Sequence, residues 1–145
     1  LIPDTHAPTG VCWGYDNRTS ALRIPASHPE ARRIEHRVAG GDINPYLLLS
    51  VILGAALYGI QTEMTPPHPI NGNSYEQDLP KLAPSCEAAI KSFRHDQLIA
   101  RIFSETLIGR LHPSNTAPIG VKLSKNVFQT IDSPHLMFRH QKQKI

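Results

Sequence analysis

Cysteine is scarce in this 145-residue chain: Cys12 and Cys86 stand 74 residues apart and in no motif. That spacing suits two reduced thiols in a cytoplasmic protein rather than a disulfide framework. Long apolar runs are also missing. The longest uncharged one, Leu47 to Ile60, has fourteen residues, whereas a membrane-spanning helix needs about 20, so no membrane partner is expected. The opening Leu1-Ile2-Pro3-Asp4-Thr5-His6 has neither the charged start nor the apolar stretch of a signal peptide. With no initiator methionine, the sequence is expected to be the end of something longer. Basic residues exceed acidic ones by only 3. Arg139, Lys142 and Lys144 at the extreme end account for that surplus, and the rest balances at 12 against 12. A nucleic-acid binder carries its surplus on a face of the folded body, so no nucleic-acid partner is expected.

What is plentiful is turn chemistry. Glycine and proline together make up 22 of 145 residues, which predicts many loops around few regular elements and argues against an all-helical bundle. Gly14-Tyr15-Asp16-Asn17 has the composition of a turn. Ser20 to Ile24 and Arg33 to Val38 are expected strands, the first stopped by Pro25 and the second by Gly40-Gly41. Asn44 and Pro45 form a good helix start, and the helix predicted from Asn44 to about Ile60 is apolar nearly all round, so it is expected to be buried on most faces. A chain of this size would struggle to wrap it, which predicts association or poor solubility. Five prolines between residues 64 and 84 make that stretch a surface excursion. Amphipathic helices are expected over Glu87 to Phe93 and Gln97 to Arg110, the second capped by Asp96 and turning Leu98, Ile102, Leu107 and Ile108 inward. The fold class is therefore α+β, with a few antiparallel strands.

One constellation suggests chemistry. Alternation along Arg33-Ile34-Glu35-His36-Arg37-Val38 puts Arg33, Glu35 and Arg37 on one face. Two guanidiniums around a carboxylate cannot sit in hydrocarbon, so this face meets either water or a polar, ion-filled cavity. Arg18 and Arg23 arrive on the preceding segment. If the two segments are neighbours in a sheet, up to four guanidiniums converge near one carboxylate, a grouping suited to a polyanion with a divalent cation. There is no Walker-type phosphate loop, so any nucleotide would be held by arginines and metal. No histidine stands in a His-Glu-x-x-His or Cys-x-x-Cys context, and no histidine metal site is expected. Trp13 is expected to pack, and Tyr75 to be an exposed loop residue.

Asp16-Asn17-Arg18-Thr19, Leu22-Arg23-Ile24-Pro25, Arg32-Arg33-Ile34-Glu35-His36-Arg37 and Asp42-Ile43-Asn44-Pro45-Tyr46-Leu47 resemble the C-terminal part of the catalytic domain of glutamine synthetases and γ-glutamylpolyamine synthetases. The opening Ala7-Pro8-Thr9-Gly10-Val11-Cys12-Trp13-Gly14-Tyr15-Asp16 is similar to the polyamine-type and related branches, and the likeness runs from about Ala7 to about Arg110. It implies ATP-dependent amide formation, in which the γ-carboxylate of glutamate is phosphorylated and ammonia or an amine displaces phosphate. It further implies that Glu35 binds Mg2+ or Mn2+ at the nucleotide phosphates, that Arg18 acts near both ATP and glutamate, that Arg23 contacts nucleotide phosphate, and that Arg37 contacts glutamate. Arg18 and Arg37 are thus the implied catalytic and substrate-binding residues, with Arg18 and Arg23 on the cofactor.

Where many bacterial members have a nucleotide-contacting lysine, this chain has Glu30. Tyr75 falls in the loop region where some members carry a nucleotidylated tyrosine. The family's other metal-binding glutamates, its glutamate-binding segment and its amine loop all precede the motifs present, so the isolated chain is expected to be inactive. The full-length parent is expected to be a homo-oligomeric ring with shared active sites. Residues 1–111 are assigned to this fragment of the domain. Residues 112–145 form a divergent basic tail, expected to be poorly ordered and unrelated to the family. The rival to a ligase fragment is a non-catalytic remnant or interaction module of the same fold.

Overall fold

The structure, a computed structural model, describes residues 7–40 and 43–110. Asp42, the basic tail and His135 and His140 lie outside the described residues. The observed architecture is α+β: β1 (Trp13–Tyr15), β2 (Leu22–Ile24) and β3 (Glu35–His36), then α1 (Pro45–Gln61), α2 (Cys86–His95), α3 (Gln97–Ile102) and α4 (Glu105–Arg110). Short 3-10 turns occur at Pro29–Ala31 and Ser74–Glu76. No described helix is long and apolar enough to cross a membrane.

The sheet order is β1-β2-β3. β2 pairs antiparallel with β3, setting Leu22 opposite His36 and Arg23 opposite Glu35. β1 pairs with β2 in parallel, Trp13 opposite Leu22 and Tyr15 opposite Ile24, which corrects the all-antiparallel expectation. Parallel neighbours ordinarily need a long crossover. Here each strand has three residues and spans only about 10 Å, so the short segment 16–21 can return the chain to the same end. Asp16 begins that return with φ 47°, a left-handed conformation that Asp tolerates better than most residues. The strands are shorter than the sequence pattern implies: Ile34 lies outside β3 and is 67% exposed.

Two apolar clusters form the core. Val11, Ala21, Val38 and Leu82 pack behind the sheet with Trp13 and Leu22. Val51, Ala83, Ala89, Phe93, Ile99 and Phe103 pack between the helices. Consecutive residues Leu82 and Ala83 go to different clusters and so tie them together. The proline-rich segment is likewise no free excursion. Ile70 N donates to Trp13 O at 2.9 Å, Val11 N to Pro80 O at 2.7 Å and Leu82 N to Thr9 O at 2.9 Å, and Trp13 Nε1 donates to Pro67 O at 2.7 Å. Tyr75, expected to be exposed, is half-buried and donates its hydroxyl to Ala7 O at 2.9 Å. Buried Cys12 donates its thiol to Gly10 O at 3.7 Å, and burial pushes its pKa up, away from reactive thiolate.

The helices begin where capping side chains stand. Asn44 Oδ1 accepts from Tyr46 N at 3.0 Å and Leu47 N at 3.3 Å, and Pro45 occupies the first turn. Ser85 accepts from Ala88 N at 3.1 Å. Asp96 ends α2 and starts α3, accepting from Leu98 N at 2.7 Å and Ile99 N at 3.2 Å. The single helix expected over Gln97 to Arg110 is broken. Phe103 turns extended to bury its ring, and Ser104 Oγ caps a new helix by accepting from Leu107 N at 3.3 Å.

α1 departs most from expectation. It buries Val51, Ala55 and Gly59 along one side, while Leu49, Leu53, Leu57 and Ile60 on another are all more than half exposed. Its close approach to α3 is set at Gly54, where an added Cβ would lie 2.7 Å from Ile102 Cγ1 and Cδ1. Gly54→Ala is therefore expected to destabilise, since overpacking costs about 1–3 kcal/mol and exceeds the helix-propensity gain of about 1 kcal/mol. Ile99→Ala should cost about 2–5 kcal/mol, and Leu53→Ala on the exposed side within about 0.5 kcal/mol. Urea unfolding followed by circular dichroism ranks the three; a costly Leu53→Ala or a neutral Gly54→Ala would contradict this packing.

Candidate functional site

The register of β2 on β3 places Arg23 directly across from Glu35, and Arg23 Nη1 donates to Glu35 Oε2 at 2.9 Å. Arg33, two residues before Glu35 and on the same face, donates to Oε1 at 3.1 Å. The second Arg23 terminal nitrogen, Nη2, donates to Asp16 Oδ1 at the end of β1. One guanidinium thus forks between two carboxylates, and one carboxylate sits between two guanidiniums. The two arginine-bearing segments are sheet neighbours, the condition set for guanidiniums to gather at one carboxylate, and of the four guanidiniums considered those of Arg23 and Arg33 bond Glu35. Asp16, assigned only to a turn, is a partner the sequence did not reveal, because its approach to Arg23 depends on the parallel pairing of β1 with β2.

Arg23 is largely buried, its side chain 15% exposed. Its Nε is buried and has no hydrogen-bond partner among the described residues. Hydrogen bonds from Arg23 hold the carboxyls of both Glu35 and Asp16 below the usual carboxylate range, against an opposing effect of desolvation. The Arg23 guanidinium is itself held above its ordinary value, chiefly by its hydrogen bond to Glu35.

An open cleft of about 500 Å³ lies beside this network, lined by Tyr15, Asp16, Asn17, Arg18 and Arg23 on one side and Ile70, Asn71 and Gly72 on the other. Arg18 is exposed and its guanidinium makes no hydrogen bond or ion pair to a described residue. Arg37 lies elsewhere. Its Nη1 donates to Arg18 O and, at 3.2 Å, to Ser20 O, so its guanidinium braces the turn carrying Arg18 and does not line the cleft. The wall formed by residues 70–72 was not legible in the sequence, because no local pattern reports a contact across 55 residues such as Asn17 Nδ2 to Gly72 O at 2.8 Å.

Chemically, the cleft offers one solvent-facing guanidinium beside a second that two carboxylates hold in place, with backbone close by, which suits a phosphate-bearing anion. It suits a bare cation poorly. Among the described residues no group of three or more His, Cys, Asp or Glu side chains could hold a metal ion, and both Glu35 oxygens already accept from guanidiniums. The described residues do not by themselves fit a metal centre.

The sequence that builds this geometry matches known proteins. The profile of the glutamine synthetase catalytic domain matches residues 1–116, and the chain belongs to that family. It is 35% identical over 117 residues to a gamma-glutamylethanolamide synthetase of Streptomyces coelicolor, covering 81% of this chain and 25% of that protein. It is 42% identical over 76 residues to a gamma-glutamylputrescine synthetase of Escherichia coli, covering 52% of this chain and 16% of that one. A glutamine synthetase of Aquifex aeolicus is 34% identical over 119 residues, covering 74% and 25% respectively. The chain therefore spans a quarter or less of the length of these relatives.

Because the folded-state pKa of Glu35 is depressed, its contribution to stability is present above the unfolded value, about 4.3, and is lost as pH falls through the folded one. Glu35→Gln is expected to destabilise at neutral pH, with the difference shrinking at an acid pH as Glu35 becomes protonated in the folded state. Urea unfolding at the two pH values measures this, and a difference that persists undiminished in acid would show that the ion pairs are not its source.

Proposed function

We propose that this chain supplies the arginine wall of the nucleotide-phosphate site in an ATP-dependent ligase that joins ammonia or an amine to the γ-carboxyl of glutamate. The carrying observation is the exposed Arg18 guanidinium, which has no hydrogen-bond or ion-pair partner among the described residues, in a cleft that Arg23 also lines. Polyphosphate neutralisation is the task for which such groups are suited, since phosphoryl transfer is mostly positioning and charge stabilisation. In this reading Arg18 meets the phosphates and the developing charge at the glutamyl carboxylate. Arg23 holds the phosphate side while its own orientation is fixed by Asp16 and Glu35. Arg37 serves the substrate through the turn it braces. Glu35, which the resemblance makes a metal ligand, has both oxygens engaged by guanidiniums and is given the task of orienting Arg23, so that Mg2+ or Mn2+ would need its ligands from beyond the described residues. The relatives named for ethanolamide and putrescine products support an amine acceptor, and the glutamine synthetase relative supports ammonia.

The guanidinium-saturated carboxylate favours a second reading, a non-catalytic module of the same fold in which the ion network is structural. Calorimetric titration of the chain with Mg·ATP separates the two. Binding that Arg18→Gln weakens by about 10- to 100-fold, the loss expected for a charge-assisted hydrogen bond of about 1.5–3 kcal/mol, supports the ligase site. No binding by the wild-type chain supports the module. The chain alone is expected to form no γ-glutamyl amide from glutamate, ATP and an amine, and product formation would refute that expectation.

A further inference from the structure

The turn that carries Arg18 is fixed carbonyl by carbonyl. Asn17 O accepts from Ser20 Oγ at 2.8 Å, Arg18 O from Arg37 Nη1, Thr19 O from Ser74 Oγ at 2.7 Å and Ser20 O from Arg37 Nη1 at 3.2 Å. Backbone carbonyls in a turn ordinarily face water; here each of four in a row meets a side-chain donor. Two of those donors come from distant parts of the chain, Arg37 from beyond β3 and Ser74 from the proline-rich segment.

Ser74 is fully buried and its contact with Thr19 is reciprocal, because its backbone N–H donates to Thr19 Oγ1 at 2.9 Å. Thr19 Oγ1 in turn donates to Asn17 Oδ1 at 2.8 Å, and Asn17 Nδ2 donates to Gly72 O at 2.8 Å. The circuit closes on the opposite wall of the cleft. That wall is braced internally, with Gln77 Nε2 donating to Asn71 O at 2.8 Å and Tyr75 N to Asn73 Oδ1 at 3.1 Å. Gly72 adopts φ +76°, the left-handed conformation that lets its carbonyl face Asn17 without a side-chain penalty. Separating the walls by one residue's slip would leave several of these buried groups unpaired at once.

We infer that Ser74 and Thr19 form a latch through which the proline-rich segment sets the position of Arg18, making both positioning residues for the phosphate-bearing ligand rather than residues that touch it. The inference rests on the nucleotide-site reading proposed above. Its physical content is that the width of the cleft and the aim of one flexible guanidinium are set from a segment 55 residues away in sequence. A guanidinium on an unbraced turn would lose orientation on binding and with it affinity.

A double-mutant cycle in the 145-residue chain tests the latch, with Mg·ATP as the titrant. Ser74→Ala and Thr19→Val are each expected to weaken binding about five- to tenfold, the effect of one or two lost hydrogen bonds, while Thr19→Ser, which keeps the oxygen, restores it. In an Arg18→Gln background Ser74→Ala is expected to add nothing, because the latch acts through Arg18. A merely structural role would weaken binding equally in both backgrounds, and that additivity would overturn the latch while leaving the nucleotide site standing, as would unchanged affinity in Ser74→Ala. Failure of the wild-type chain to bind Mg·ATP would overturn both, and is recognised before any variant is made. Thermal unfolding of Thr19→Ser and Ser74→Ala confirms that the compared proteins are folded.

Discussion

The pairing of Arg23 with Glu35 across β2 and β3 is the contact on which the site depends. A two-residue strand carries too few ladder hydrogen bonds to hold its own register, and a slip of one residue would send its side chains to the opposite face. The ion pair resists that slip, since only in the observed register does Arg23 stand opposite Glu35. Asp16 extends the constraint to β1 by accepting from the other terminal nitrogen of the same guanidinium. Three short strands are thereby aligned by one side chain, and the cleft residues Tyr15 to Arg18 inherit their positions from that alignment.

The same network explains why the carboxylates alone do not define the chemistry. A carboxylate with a guanidinium on each oxygen is electrostatically closer to a structural staple than to a vacant metal ligand. A nearby anion changes the balance, because phosphate oxygens compete for the same donors and lower the positive potential around Glu35. In the proposed site, the nucleotide and Glu35 are therefore coupled through Arg23.

How far the sequence could be read follows from the range of each interaction. The Asn44-Pro45 start of α1 and the Asp96 cap are encoded within three residues, and both stand where the local pattern puts them. Alternation put Arg33 and Glu35 on one face of their strand, whereas the adjacency of the segments carrying Arg23 and Glu35 stood only as a condition, which the sheet register meets. What lay beyond reach was longer in range. The parallel pairing of β1, the docking of residues 70–77 and the diversion of Arg37 onto the carbonyls of Arg18 and Ser20 each depend on partners that no periodicity encodes. The break at Phe103 is a tertiary override: burying one ring outweighs continuing a helix whose local sequence would permit it.

Two of the arginines are engaged by the protein itself. Arg37 bridges two carbonyls two residues apart, and Arg23 joins two carboxylates from different segments of the chain. The Arg23 task needs donors on separate nitrogens held in one plane at fixed angles, which the guanidinium has and an ammonium lacks. An Arg23→Lys exchange keeps the charge but breaks the fork, so the loss would fall on geometry first. Arg18 differs, because its guanidinium has no described partner to organise and its orientation comes from the backbone beneath it. The division of labour within the cluster is thus set by hydrogen-bond engagement rather than by charge: Arg23 and Arg37 build the frame, and Arg18 is the arginine left for a ligand.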